Sequence, residues 1–310
     1  MTDRREFLTG TGALALAATM PVFADERPSL PTRPIPGSDE QMAIVGLGNS
    51  NAFRQGDIAT SEKLLDIFLW HGGTYVDVSG SSRETVGRII HDRGAQGSTI
   101  LGNYLDAEDP AGMRAEIAGL QGIQGAGPLD LALSRDPDDL VRRADEFRAL
   151  KTEGLVRHVG IARHNERYYP AMMQLMNDGI VDFVQVNYSM LEPEAADTIL
   201  PLAQDKGIAV LINRPFINGE YFGLVSGQAL PEWAAEFDCN SWAQFSLKYI
   251  LAHPAVNCVL TETANPKHVL DNLGAGYGRL PDEATRKRMR QLIVDLAMGE
   301  TVARLAGVPE

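Results

Sequence analysis

The feature that most constrains this chain is a recurrence. Eight short apolar runs alternate with helix-length amphipathic segments, from "MAIVGLG" (42–48) to "VNCVL" (256–260). Between them come "TYVDV" (74–78), "STILG" (98–102), "LDLALS" (129–134), "VRHVGIA" (156–162), "VDFVQV" (181–186) and "IAVLI" (208–212). Strands that are nearly continuously apolar belong to parallel sheets covered on both faces. The intervening "DDLVRRADEFRALKTEG" and "PEAADTILPLAQDKG" carry apolar residues at three- and four-residue spacing and stop on Gly, the pattern of a helix and its end. Eight such units over roughly 250 residues predict an α/β fold, a closed (β/α)8 TIM barrel, with a doubly wound open sheet as the alternative. A barrel carries its site at the C-terminal ends of its strands, so the last residue of each strand is a candidate.

The first residues form a separate object. Arg4-Arg5, Phe7-Leu8, an Ala- and Gly-rich apolar run and then Val22-Phe23-Ala24 read as a leader cut at a small residue. This predicts a Tat-type signal peptide over 1–24, a proline-rich linker over 25–38 containing "PSLPTRPIP", and one barrel with a C-terminal helix over 39–310, exported to the periplasm. The formal net charge is −13, and removal of 1–24 leaves it unchanged because Asp3 and Glu6 offset Arg4 and Arg5. So acidic a chain is a poor partner for nucleic acid or an anionic membrane. Cys239 and Cys258 are the two cysteines. Export makes a disulfide possible, but Cys258 inside "AVNCVL" reads as a buried free thiol, and nothing has zinc-ligand spacing.

Beyond this pattern, the chain resembles the aldo/keto reductase family from "AIVGLGNSNAF" to "HVLDNLGAGYGRL". The pieces that carry the resemblance are "KTEGLVRHVGIARHN", "DFVQVNYSMLEPEAADTILPLAQDKGIAVLINRPF" and "FSLKYILAHPAVNCVLTETANPKHVLDNL". The resemblance implies carbonyl reduction with NADP or NAD, in which a Tyr tuned by Lys, Asp and His donates a proton. Asp77 falls on the family Asp. The loop after it, "VSGSSRETVG", is about three residues shorter than the family's and has no Tyr. Asn103 stands where the Lys is expected and Arg135 where the His is. Tyr104 and, as a second option, Tyr188 are possible substitutes for the lost Tyr, and His164 is a further proton-transfer candidate.

For the cofactor, the resemblance implies Gln185, Asn187, Pro215, Thr263, Asp271 and Asn272 as contacts. Ala162-Arg163 replaces the family's Ser-Asn, and "INRPF" lacks its aromatic shelf. Glu262 stands where a small or basic residue usually faces the 2′-phosphate, and His268 replaces an Arg. A carboxylate about 4 Å from that phosphate costs on the order of 1–4 kcal/mol, so NAD is better tolerated than NADPH, and a site without nucleotide stays open.

Read from its own residues, the rim comprises Asp77, Asn103, Arg135, Arg163, Asn187, Arg214 and Thr261. Buried guanidinium groups need partners. Either carboxylates such as Asp77, Asp136 and Glu84 neutralise them, or Arg135, Arg163 and Arg214, with Asn103, grip a small anionic substrate. Three functions follow: an oxidoreductase acting on a small carbonyl or polyol, a non-redox barrel that binds an anion, or a lyase or isomerase in which Asp77 or His164 abstracts a proton.

Overall fold

A computed structural model describes residues 28–305. The leader expected over 1–24 lies outside the described residues. Two strands, β1 (Thr32–Pro34) and β2 (Gln41–Ala43), form an antiparallel hairpin. Eight more follow: β3 (Val45–Leu47), β4 (Tyr75–Val78), β5 (Ile100–Tyr104), β6 (Leu129–Ser134), β7 (Val156–Ala162), β8 (Phe183–Asn187), β9 (Ala209–Asn213) and β10 (Cys258–Thr261). They close in the order β10-β3-β4-β5-β6-β7-β8-β9, every neighbouring pair parallel. The fold is a (β/α)8 TIM barrel, as the eight apolar runs predict. No helix among the described residues is long and apolar enough to cross a membrane.

Alternate residues of each strand point inward. The interior is filled by Tyr75, Ile100, Leu131, Leu133, Phe183, Leu211, Cys258 and Leu260. Ile35 and Met42 of the hairpin, both fully buried, close the N-terminal end of the same cluster. The segment read as a linker is therefore structural from Pro28 onward. Its prolines leave few backbone donors, and its acceptors are used: Pro31 O takes the Ile44 N–H at 3.1 Å and Pro34 O takes Asn257 Nδ2 at 3.0 Å. Arg33 donates to the carbonyls of Leu251, His253 and Val256. Glu40 accepts from Arg157 and from His158 Nε2, while Arg157 also reaches Asp130 at 2.6 Å.

The helix expected over "DDLVRRADEFRALKTEG" is broken in two, Pro137–Arg142 and Ala144–Thr152. At the break, Arg143 turns its guanidinium to Asp139 and to the Ala107 carbonyl. Both cysteines are free and buried. Cys258 sits inside the barrel, where burial raises its pKa far above the ordinary thiol range.

Candidate active site

Strand parity decides what reaches the mouth. On β4, Tyr75 and Asp77 lie on the same face, two residues apart, and Tyr75 is part of the interior cluster. On β5 the inward residues are Ile100, Gly102 and Tyr104. Asn103 therefore faces out, fully buried against the helix Pro110–Gln124, where it exchanges two hydrogen bonds with Gln124 at 2.9 and 3.1 Å. The expectation that Asn103 touches substrate is corrected by this one-residue shift, and Tyr104 takes the inward position.

Asp77 is 7 % exposed and lines a mouth cavity of about 500 Å³ together with Gly48, His164, Gln185, Asn213 and Glu262. Burial pushes its carboxyl up to about 7, aided by the Glu262 charge, while Gln185, Arg135 and the Tyr75 hydroxyl pull the other way. Tyr75 Oη lies 3.5 Å from Oδ1 of Asp77. Burial and the neighbouring Asp77 charge hold both Tyr75 and Tyr104 well above the ordinary phenol range. Tyr104 is close enough to Asp77 and Gln185 for both to act on its hydroxyl electrostatically. A carboxyl so placed at the mouth can hold or give up a proton near neutral pH.

The three arginines do not converge. Arg135 stacks on Tyr104, its guanidinium carbon 3.7 Å from the ring centroid, and pairs loosely with Asp106 at 3.5 Å. Arg163 stacks on Tyr168 at 4.3 Å. Arg214 alone lines the cavity, where it meets Glu192 at 3.4 Å. His164, also on the cavity wall, has its pKa lowered by burial and then by Arg214 and Arg163. Aromatic faces and carboxylates thus provide most of the neutralisation, and Asp136 instead caps the helix Pro137–Arg142.

Among the expected cofactor contacts, Gln185 and Pro215 line the cavity. Asn187, at the end of β8, accepts a hydrogen bond from Tyr169. Thr263 belongs to a turn with Asn265 and His268. Asp271 is engaged by Ser241 at 2.9 Å and Gln244 at 2.8 Å, and Asn272 is buried beside it on the helix Pro266–Gly274. Tyr188 points out of the barrel to Arg286 and stacks on Tyr249, so it is no substitute proton donor.

Sequence reading missed Tyr75, although its spacing from Asp77 was the signal, and it missed Asn213 as an inward residue. It also missed Phe216 and Phe222, which line the cavity from the loop after β9. That loop holds Arg214, Ile217 and Asn218 at φ of 50°, 50° and 55°, left-handed conformations that cost of order 1 kcal/mol each and concentrate at functional sites. Several buried polar atoms of the mouth have no hydrogen-bond partner among the described residues: Gln185 Oε1, Asn213 Oδ1, Asn49 Oδ1, Arg163 Nε and Arg214 Nε. Buried polar atoms are normally satisfied, so these atoms leave hydrogen-bonding capacity unused at the rim.

The model of the Aldo/keto reductase family matches residues 45–291. An uncharacterized oxidoreductase of Schizosaccharomyces pombe is 25% identical over 211 residues, 65% of this chain and 64% of that protein. The NADH-specific methylglyoxal reductase of Escherichia coli is 30% identical over 166 residues, 45% of this chain and 50% of that protein. The chain thus spans between half and two thirds of the length of these relatives. Among solved structures, an aldo/keto reductase from Klebsiella pneumoniae in complex with NADP and acetate superposes with a TM-score of 0.67 at 22% identity, covering 82% of this chain and 94% of that one.

Proposed function

This chain belongs to the aldo/keto reductase family of oxidoreductases, and from that premise we propose that it is an NADH-linked reductase of a small 2-oxo compound. The observation that carries this reading is the mouth cavity, which Asp77 lines together with Gln185 and Asn213, whose side-chain oxygens have no partner among the described residues. Those acceptors suit the N–H groups of a nicotinamide carboxamide, Phe216 and Phe222 suit its ring, and the free Nε–H of Arg214 suits an anionic oxygen. The residues therefore fit the group. When bound, a reduced nicotinamide supplies a hydride. Gln185 and Asn213 orient the carboxamide, Arg214 and His164 hold the polar end of a small substrate, and the Asp77 cluster serves the carbonyl oxygen.

The preference for NADH rests on Glu262. Its carboxylate lines the cavity, paired with Arg54 at 3.4 Å, and a negative charge there disfavours an added phosphate. The Escherichia coli relative is named for NADH and methylglyoxal, and the Klebsiella pneumoniae structure is of a complex with NADP and acetate. Both support a small oxygen-rich substrate. Periplasmic export is proposed as well, on the Arg4-Arg5 pair and the apolar run that follows it.

The test is titration of the purified protein with NADH and NADPH by tryptophan fluorescence, followed by NADH consumption with methylglyoxal, glyoxylate and simple aldehydes. Tighter binding of NADH and turnover with a 2-oxo compound are expected. Failure of both nucleotides to bind defeats the reading.

A further inference from the structure

We propose that Asp77 itself, rather than a phenol, hands the proton to the substrate oxygen, with Tyr75 holding its carboxyl from behind and Tyr104 beside it. This rests on the reductase reading and names the acid that the reaction needs. The cavity wall includes Asp77 but neither tyrosine. Tyr75 is wholly buried, seated against Gly102, where a Cβ would stand 2.1 Å from its hydroxyl. Tyr104 is 6 % exposed, and the Arg135 guanidinium covers its ring face. Tyr75 thus reaches the carboxyl, Tyr104 stands near it under Arg135, and the carboxyl reaches the cavity.

The electrostatics agree with this order. A phenol becomes a useful acid when a cation lowers its pKa; among the described residues no lysine lines the cavity, and the Arg135 charge over Tyr104 is outweighed by burial and the Asp77 charge. Lys248, fully buried, directs its ammonium to the carbonyls of Tyr277 and Arg279 at 2.7 and 2.9 Å. Burial drives both phenols up, away from neutrality, whereas it brings Asp77 to about 7. The groups that face Asp77 are Tyr75 on its own strand, Tyr104 from β5, Arg135 beyond β6, Gln185 from β8 and Glu262 beyond β10. Gln185, Arg135 and Tyr75 stabilise the carboxylate left behind, and Glu262 opposes it.

The step balances. A bound dihydronicotinamide would supply the hydride that forms the C–H bond at the carbonyl carbon, giving up two electrons as it does so. The π pair moves to oxygen, an O–H bond forms there, and the Asp77 O–H bond breaks. The resulting carboxylate is reprotonated from water through the open mouth.

The experiment has one arm that needs no cofactor. The carboxyl infrared band present in wild type and absent from Asp77→Asn is followed against pH in the nucleotide-free protein, alone and in Tyr75→Phe. The proposal expects a midpoint near neutrality that rises in Tyr75→Phe, because a hydrogen bond to the carboxylate is lost. In the second arm, kcat/KM for NADH-dependent reduction falls above that midpoint. Asp77→Asn loses about 10²- to 10⁴-fold, and Tyr104→Phe keeps more than about a tenth of the rate. A band that titrates near the ordinary value of about 4, or turnover abolished by Tyr104→Phe with the band unmoved, overturns the step while leaving the reductase standing. If no nucleotide binds, the reductase reading falls and takes the step with it, even where the band behaves as expected.

Discussion

Gly102 and Tyr75 occupy each other's space: a Cβ on residue 102 would lie 2.1 Å from the Tyr75 hydroxyl and 3.3 Å from Oδ1 of Asp77. The absence of a side chain on β5 is what lets a phenol stand upright in the barrel beneath the carboxyl.

Gly102→Ala is expected to destabilise the barrel by about 1–3 kcal/mol, the usual cost of overpacking a dense core. Urea denaturation reads the loss. Because the substitution displaces Tyr75 from Asp77, it also moves the pH profile of activity, which a purely structural defect would leave in place.

Asp77→Asn is expected to stabilise the protein at pH 8 and to lose that advantage in acid. The folded pKa, about 7, lies above the ordinary 3.8, so the buried group costs stability as pH rises through that window and nothing below it. At about 1.4 kcal/mol per pH unit the gain at pH 8 is bounded at about 4 kcal/mol. Thermal unfolding of both proteins at pH 4 and pH 8 checks the sign.

Glu40 behaves oppositely. The hydrogen bonds and charges of His158 and Arg157 outweigh the effect of burial and hold its carboxyl below the ordinary range. Its contribution is present above the unfolded value and disappears as pH falls through the folded one. Glu40→Gln should therefore lower the unfolding midpoint at neutral pH and narrow the gap to wild type in strong acid.

Glu262→Gln is expected to raise NADPH affinity relative to NADH by about tenfold or more. It removes a charge worth about 1–4 kcal/mol at 4 Å and releases Arg54. Paired titrations with the two nucleotides measure the ratio, and an unchanged ratio removes Glu262 from the cofactor site.

Arg286→Met is expected to loosen the C-terminal helix Glu283–Leu305. The Arg286 guanidinium reaches Tyr249 O, the Tyr188 hydroxyl and Glu283 from a nearly buried position. Leaving those acceptors without a donor costs about 1–3 kcal/mol, and hydrogen exchange localised to that helix would show it.

The barrel was legible because parallel strands write themselves as unbroken apolar runs, and all eight are present. The site was half legible. Asp77, His164, Gln185 and Arg214 are where strand ends place them, but Asn103 and Tyr188 face away, because the last residue of a strand is inward only when parity makes it so. Counting by twos from Tyr75 and Asp77 on β4, and from Gly102 on β5, gives the observed arrangement. The role of "PSLPTRPIP" was not legible. Prolines suggest a linker when read locally, whereas the partners of Arg33 and Pro34 lie more than two hundred residues away.

That separation shapes how the molecule is made. The hairpin leaves the ribosome before the barrel strands that follow it, yet the carbonyls that grip Arg33 belong to residues 251, 253 and 256. Arg33 must wait for these partners until synthesis has passed Val256, so the seal on the barrel floor is set only after the strands β3 to β9 between them have been made.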